Sequence, residues 1–252
     1  MDLVLLAGAA FLAGLIDAVV GGGGLIQLPM LFSVLPKELP ATLLGTGKFA
    51  GIFGTGAAAI NYSRRVRVAW SAAAPAAVAA FVLSFVGAFT VTKVPADFMR
   101  SLLPILLIAV AIYTLRKKDF GSVHAPVHGG SKERYLALGM GAGIGFYDGF
   151  FGPGTGSFLI FLYVRFFGFD FLSASAAAKI VNVACGFSAL MWFGYSGHVL
   201  WVLGAIMAVF QVAGSLVGTK LAIKQGSGFV RKLFLVVVSI LILKTGYDAF
   251  FN

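Results

Sequence analysis

Two apolar stretches, residues 3–34 and 135–164, are each too long for a single membrane crossing and are interrupted near the middle by an aspartate and a cluster of glycines. In the first, Asp17 precedes Gly21, Gly22, Gly23 and Gly24; in the second, "GFYDGFFGPGTGSF" carries Asp148, Pro153 and glycines 149, 152, 154 and 156. A straight helix of about 30 residues would reach about 45 Å, well past the roughly 30 Å hydrocarbon core of a bilayer. The glycines break such a helix and free backbone groups that lipid cannot satisfy. Breaks of this kind survive only where protein or a water-filled cavity receives them. Each stretch is therefore expected to be a re-entrant hairpin of two half-helices around a buried turn.

The rest of the chain says that the medium is a membrane. Six more apolar runs, at 41–62, 68–92, 97–115, 172–193, 198–219 and 229–251, have the length of about 20 residues that crosses a bilayer as a helix. Only 11% of the 252 residues are charged and 60% are hydrophobic, against roughly 25% charged in soluble domains. Too few charges are present to clothe a water-facing surface, so the expected fold is an all-α polytopic membrane protein. Met1-Asp2 followed at once by an apolar run lacks a basic leader region, so the first segment is expected to stay. The net charge of +10 sits in short connections, as membrane topology requires, and no nucleic-acid-binding motif accompanies it. The single cysteine, Cys185, excludes an intramolecular disulfide. No cofactor or metal is expected.

Sliding the chain along itself, without a gap, until Asp17 falls on Asp148 explains why there are two broken stretches. Gly21 then falls on Gly152, Gly23 on Gly154, Lys48 on Lys179, Trp70 on Trp201, Lys93 on Lys224 and Arg100 on Arg231. Of 121 pairs, 24 are identical; rare Asp, Lys and Trp in register mark a duplicated module rather than shared composition. The expected organisation is a first transmembrane repeat at 1–115, a polar linker at 116–134 and a second repeat at 135–252. His124 and His128 in the linker flank Pro126, so they suggest an irregular loop, not a helical metal site.

Charge placement suggests how the repeats sit. If all eight segments crossed, lysine and arginine would divide nine to eight between the two sides. If the first and fifth are hairpins, thirteen lie on one side and only Lys37, Lys93, Arg100 and Lys244 on the other, an asymmetry of the kind that sets orientation. Each repeat is then one hairpin plus three crossing helices. An odd number of crossings inverts the second repeat, and both termini are expected to face away from the cytoplasm.

Several residues in this frame suit an anion. Lys48 and Lys179 each lie about seven residues into an apolar helix, where a lysine costs roughly 2.5–3.5 kcal/mol on insertion scales. Their alternative role is snorkelling to the interface. Asn182 and Ser175 share the face of Lys179, and Thr46 and Thr155 add hydroxyls. Half-helices resuming after Gly24 and after Gly156 would offer first-turn N–H groups and a positive dipole end, which makes Gly22, Gly23, Gly24, Gly154, Thr155 and Gly156 candidate anion-binding residues. Glycines 139, 141, 143 and 145 instead have helix-packing spacing. Asp17 and Asp148 have three open roles: neutralising the lysines, binding a proton for coupling or gating, or accepting bonds from the turn. Cys185 is expected to be inert packing. No phosphate-loop ending and no Ser/His/Asp or HExxH set is present, so no enzyme is expected.

The motifs "DAVVGGGGLIQLP", "FYDGFFGPGTGSF", "SASAAAKIVN" and "WFGYSGHVLW" together resemble the sulfite exporter TauE/SafE family, over nearly the whole chain. The resemblance implies a bacterial inner-membrane secondary transporter that exports sulfite, sulfoacetate or a related organosulfur anion. The residues leave a channel-like facilitator for small anions or neutral solutes as the alternative, and leave open whether two copies form a homodimer.

Overall fold

The computed structural model describes residues 2–98 and 129–251, which are helical and contain no strand. Helices α1 (Asp2–Val20) and α2 (Gly24–Val34) flank the first break. They are followed by α3 (Pro40–Arg65) and α4 (Trp70–Val91). From residue 129 on, α5 (Gly130–Phe150) and α6 (Thr155–Leu162), with a π-helical turn Tyr163–Phe167, flank the second break. Two long helices, α7 (Phe171–Tyr195) and α8 (Trp201–Phe251), complete the order.

Local chemistry accounts for several of the boundaries. Pro40 opens α3, where its missing N–H costs nothing, and Arg64 and Arg65 close it against the negative end of the helix dipole. Asp170 caps α7 by accepting from the N–H groups of Leu172 and Ser173. In α8 the backbone leaves the helical region at Gly226, with φ 75°. The connection expected around 220–232 thus contracts to one glycine, the residue type that takes this conformation without strain.

Five helical segments among the described residues are long and apolar enough to cross a membrane: Leu3–Val20, Pro40–Arg65, Trp70–Val91, Phe171–Tyr195 and Trp201–Gly226. Their outward faces stay apolar, with Val78, Val202 and Val209 exposed, as lipid-facing surfaces require. The expected run at 97–115 and the linker histidines lie largely or wholly outside the described residues, and α5 begins at Gly130, inside the polar stretch.

Both breaks lie where the glycines predicted them, but the arms are unequal. The first has arms of 19 and 11 residues and the second of 21 and 8. Leu3–Val20 is itself long enough to span, so the hairpin expected from the sequence consists of a long arm and a short one.

The two halves are interlocked, and the contacts recur with every partner replaced by its counterpart in the other repeat. Gly14 on α1 lies against the backbone of Gln211 on α8, and Gly145 on α5 against that of Ala80 on α4. Gly87 meets Phe146, and Gly218 meets Leu15. Ser84 Oγ donates to the carbonyl of Cys185 at 2.9 Å, and Ser215 Oγ to that of Gly54 at 2.5 Å. A side chain at any of these glycines would collide with the facing backbone, so they set the closeness of the helices. Of the four glycines assigned to packing, Gly141 and Gly145 do pack on α4, while Gly139 and Gly143 have open space beside them.

Candidate functional site

The two breaks meet in the protein interior. The Ser157 N–H donates to the Gly21 carbonyl at 3.1 Å, and Ser157 Oγ to the Val20 carbonyl at 2.8 Å. A Cβ on Gly156 would come within 2.6 Å of Gly21 Cα, and one on Gly24 within 3.1 Å of Pro153 Cα. Gly21, Gly152 and Gly154 also adopt positive φ of 76°, 95° and 81°. Here the glycines serve both the turn and the close approach of two backbones. Tyr147 Oη donates to the Pro153 carbonyl at 2.6 Å and Thr155 Oγ1 to that of Gly152 at 2.7 Å, fixing the second turn.

Both intramembrane lysines end on carboxylates, and they do so crosswise. Lys48 on α3 reaches Asp148 on α5, Nζ to Oδ2 2.5 Å, and Lys179 on α7 reaches Asp17 on α1, Nζ to Oδ2 3.0 Å. Each lysine therefore pairs with the aspartate of the other repeat, and neither snorkels. The two pairs differ in setting. Lys179 is completely buried, donates also to the Asp17 backbone carbonyl, and shares Asp17 Oδ2 with Thr55 Oγ1 at 3.0 Å. The Lys48 side chain keeps 14% of its surface exposed, and this surface faces a cavity.

That cavity, of about 90 Å³, lies where the breaks, α3, α7 and α8 converge. Of the residues singled out in the sequence, Asp17, Gly24, Lys48, Asp148, Gly154, Thr155, Gly156 and Asn182 line it; Gly22, Gly23 and Lys179 are not in its wall. The first-turn N–H groups are largely spent on other acceptors. In α2, Leu25 donates to Gly22, and Ile26 and Gln27 to Gly23; in α6, Thr155 donates to Gly152, Ser157 to Gly21 and Phe158 to Gly154. The turns thus contribute shape and dipole more than free donors. Thr46 and Thr155, expected to add hydroxyl donors, donate to the carbonyls of Thr42 and Gly152, and Ser175 donates to that of Phe171 in its own helix. Cys185 is fully buried.

The structure adds three polar side chains to the cavity wall beyond those expected from the sequence: Thr55, Gln27 and Gln211. The signal available for the glutamines was a lone carboxamide inside an apolar run, which membranes tolerate at a cost. Among the described residues no group of three or more His, Cys, Asp or Glu side chains is placed to hold a metal ion.

Comparison with known proteins places this chain among membrane transporters. A family model described as "Sulfite exporter TauE/SafE" matches residues 6–245. The "Probable membrane transporter protein ORF9" of Sinorhizobium sp is 40% identical over 233 residues, covering 92% of this chain and 87% of that protein. The "Probable membrane transporter protein YfcA" of Escherichia coli K12 is 35% identical over 243 residues, 95% of this chain and 88% of that one. A "Probable membrane transporter protein" of Haemophilus influenzae is 30% identical over 243 residues, 94% and 92% respectively. No solved structure matches the chain.

Proposed function

The chain belongs to the sulfite exporter TauE/SafE family and is a multi-pass membrane transporter of that type; from that premise we propose that it is a secondary transporter exporting a small anion. The anion is a sulfur oxyanion or organosulfonate such as sulfite or sulfoacetate. The observation that carries this reading is the convergence of two broken helices on one cavity with the Lys48–Asp148 pair in its wall. Two lysines and two aspartates leave the site electrically balanced, so it stays stable when empty. An anion entering beside Lys48 takes over the role of the Asp148 carboxylate and is held by charge-assisted hydrogen bonds. An inside-negative potential of 100 mV drives a monovalent anion outward by about 2.3 kcal/mol, so export needs no coupling ion.

Purified full-length protein should be stabilised by sulfite or a sulfonate. Proteoliposomes should show saturable uptake of labelled anion with counterflow against unlabelled anion. Unsaturable flux without counterflow would make the protein a channel-like facilitator, and stabilisation by none of these anions would remove the reading altogether.

The same proposal places the chain in a bacterial inner membrane with inverted repeats and both termini periplasmic. The crosswise pairing and the recurring contacts support a two-fold relation between the repeats. A reporter active only in the cytoplasm, fused after Asn252, should give no signal; activity there would refute this orientation.

A further inference from the structure

Beyond its ion pairs, the cavity holds buried carboxamides with atoms that bond to nothing. Gln27 on α2 and Gln211 on α8 are each 3% exposed and both line the cavity. Gln27 Nε2 and Gln211 Oε1 have no hydrogen-bond partner, and neither has Asn182 Oδ1 on α7, in the same wall. An unsatisfied buried polar atom is costly, and three around one small cavity call for partners supplied by water or by a ligand that displaces it.

The chemistry of these groups narrows the ligand. A carboxamide presents a donor and an acceptor, and its two ends exchange when the amide flips. A ligand that satisfies several of them needs acceptor oxygens and at least one O–H. Because the lysines and aspartates already cancel, each ligand charge is added to a balanced interior, which disfavours a dianion relative to a monoanion.

The duplication separates two tasks. The lysine and the aspartate of the ion pairs occur in both repeats, as Lys48 and Lys179 and as Asp17 and Asp148. The positions equivalent to Gln27, Gln211 and Asn182 are Phe158, Ala80 and Gly51, none with a side chain able to hydrogen-bond. Charge handling is therefore duplicated, whereas the carboxamides each come from one repeat alone. We infer that Gln27, Gln211 and Asn182 form a specificity subsite that selects monoanions bearing a hydroxyl, such as a hydroxyalkylsulfonate or a singly protonated oxyanion. This rests on the anion-transport reading and narrows it, favouring hydrogen sulfite or a hydroxyalkylsulfonate over the sulfoacetate dianion.

Two permanently ionised monoanions of nearly equal size test the subsite: hydroxymethanesulfonate and ethanesulfonate, which differ by OH in place of CH3. Calorimetric titration of the full chain in detergent should show the hydroxylated anion bound about 10–100-fold more tightly. In Gln27→Leu and Gln211→Leu that ratio should fall toward unity. Equal affinities in the unmodified protein, a comparison that needs no variant to fold, overturn the subsite. So does a preference that survives in both variants. In either case, sulfonate binding that still depends on Lys48 leaves the transport reading standing. If neither these sulfonates nor sulfite binds, the transport reading and the subsite fall together.

Discussion

A Lys179→Met variant is expected to lose about 3–5 kcal/mol of stability, the usual consequence of removing one partner from a buried ion pair. Its ammonium group is completely buried and holds both the side-chain and backbone oxygens of Asp17. Without it, Asp17 keeps one hydroxyl donor, Thr55, against a full negative charge in the protein interior. The effect should appear as a shift to lower denaturant in detergent unfolding titrations. Removing both charges has a different outcome. Lys179→Met combined with Asp17→Asn should recover most of the loss, because no unpaired charge remains and the asparagine still accepts from Thr55. Equal stability of the single variant and the parent would show that the pair does not hold α1 to α7. So would a double variant no better than the single.

Much of this arrangement is legible in the sequence because membranes penalise what this sequence does twice. A lysine deep in an apolar helix and a glycine cluster in a broken one are each expensive. Their recurrence in register, Lys48 with Lys179 and Gly21 with Gly152, marks them as one device in duplicate. What could not be read was the pairing. Lys48 is far closer in sequence to Asp17 than to Asp148, and nothing local says that it chooses the farther one. That choice is set by tertiary packing, in which glycines such as Gly14 and Gly145 bring the first helix of each repeat into close contact with its neighbours. The first-turn N–H groups were over-read for a related reason. The sequence shows that a half-helix resumes after Gly24 and after Gly156, but not that Gly22, Gly23, Gly152, Gly154 and the opposing Gly21 would supply acceptors for the first-turn N–H groups. Gln27 and Gln211 escaped notice because they break the repeat that made everything else visible.

The duplicated pairs are not equivalent in this conformation, and the difference predicts opposite effects at the two ends of the second pair. Lys179–Asp17 is sealed at its lysine, while Lys48–Asp148 lies along the cavity. If a bound anion replaces the Asp148 carboxylate at Lys48, the two must compete for the same ammonium group. Lys48→Met then removes the attraction itself. Anion affinity should fall by at least about thirtyfold, corresponding to about 2 kcal/mol for losing one partner of a buried charge-assisted contact. Asp148→Asn removes the competitor instead. It leaves Lys48 without its carboxylate, so affinity should rise by about tenfold or more. Turnover in proteoliposomes should nevertheless drop, because an anion no longer displaced by the returning carboxylate leaves slowly. A purely structural pair would give the same sign at both ends, with Asp148→Asn and Lys48→Met each weakening binding through loss of fold. Titration of sulfite against the two variants, with unfolding midpoints measured alongside, separates these outcomes. Affinity rising in Asp148→Asn while its midpoint falls cannot come from a damaged fold. Affinity falling in both variants would mean that Asp148 helps to build the site and does not yield to the anion.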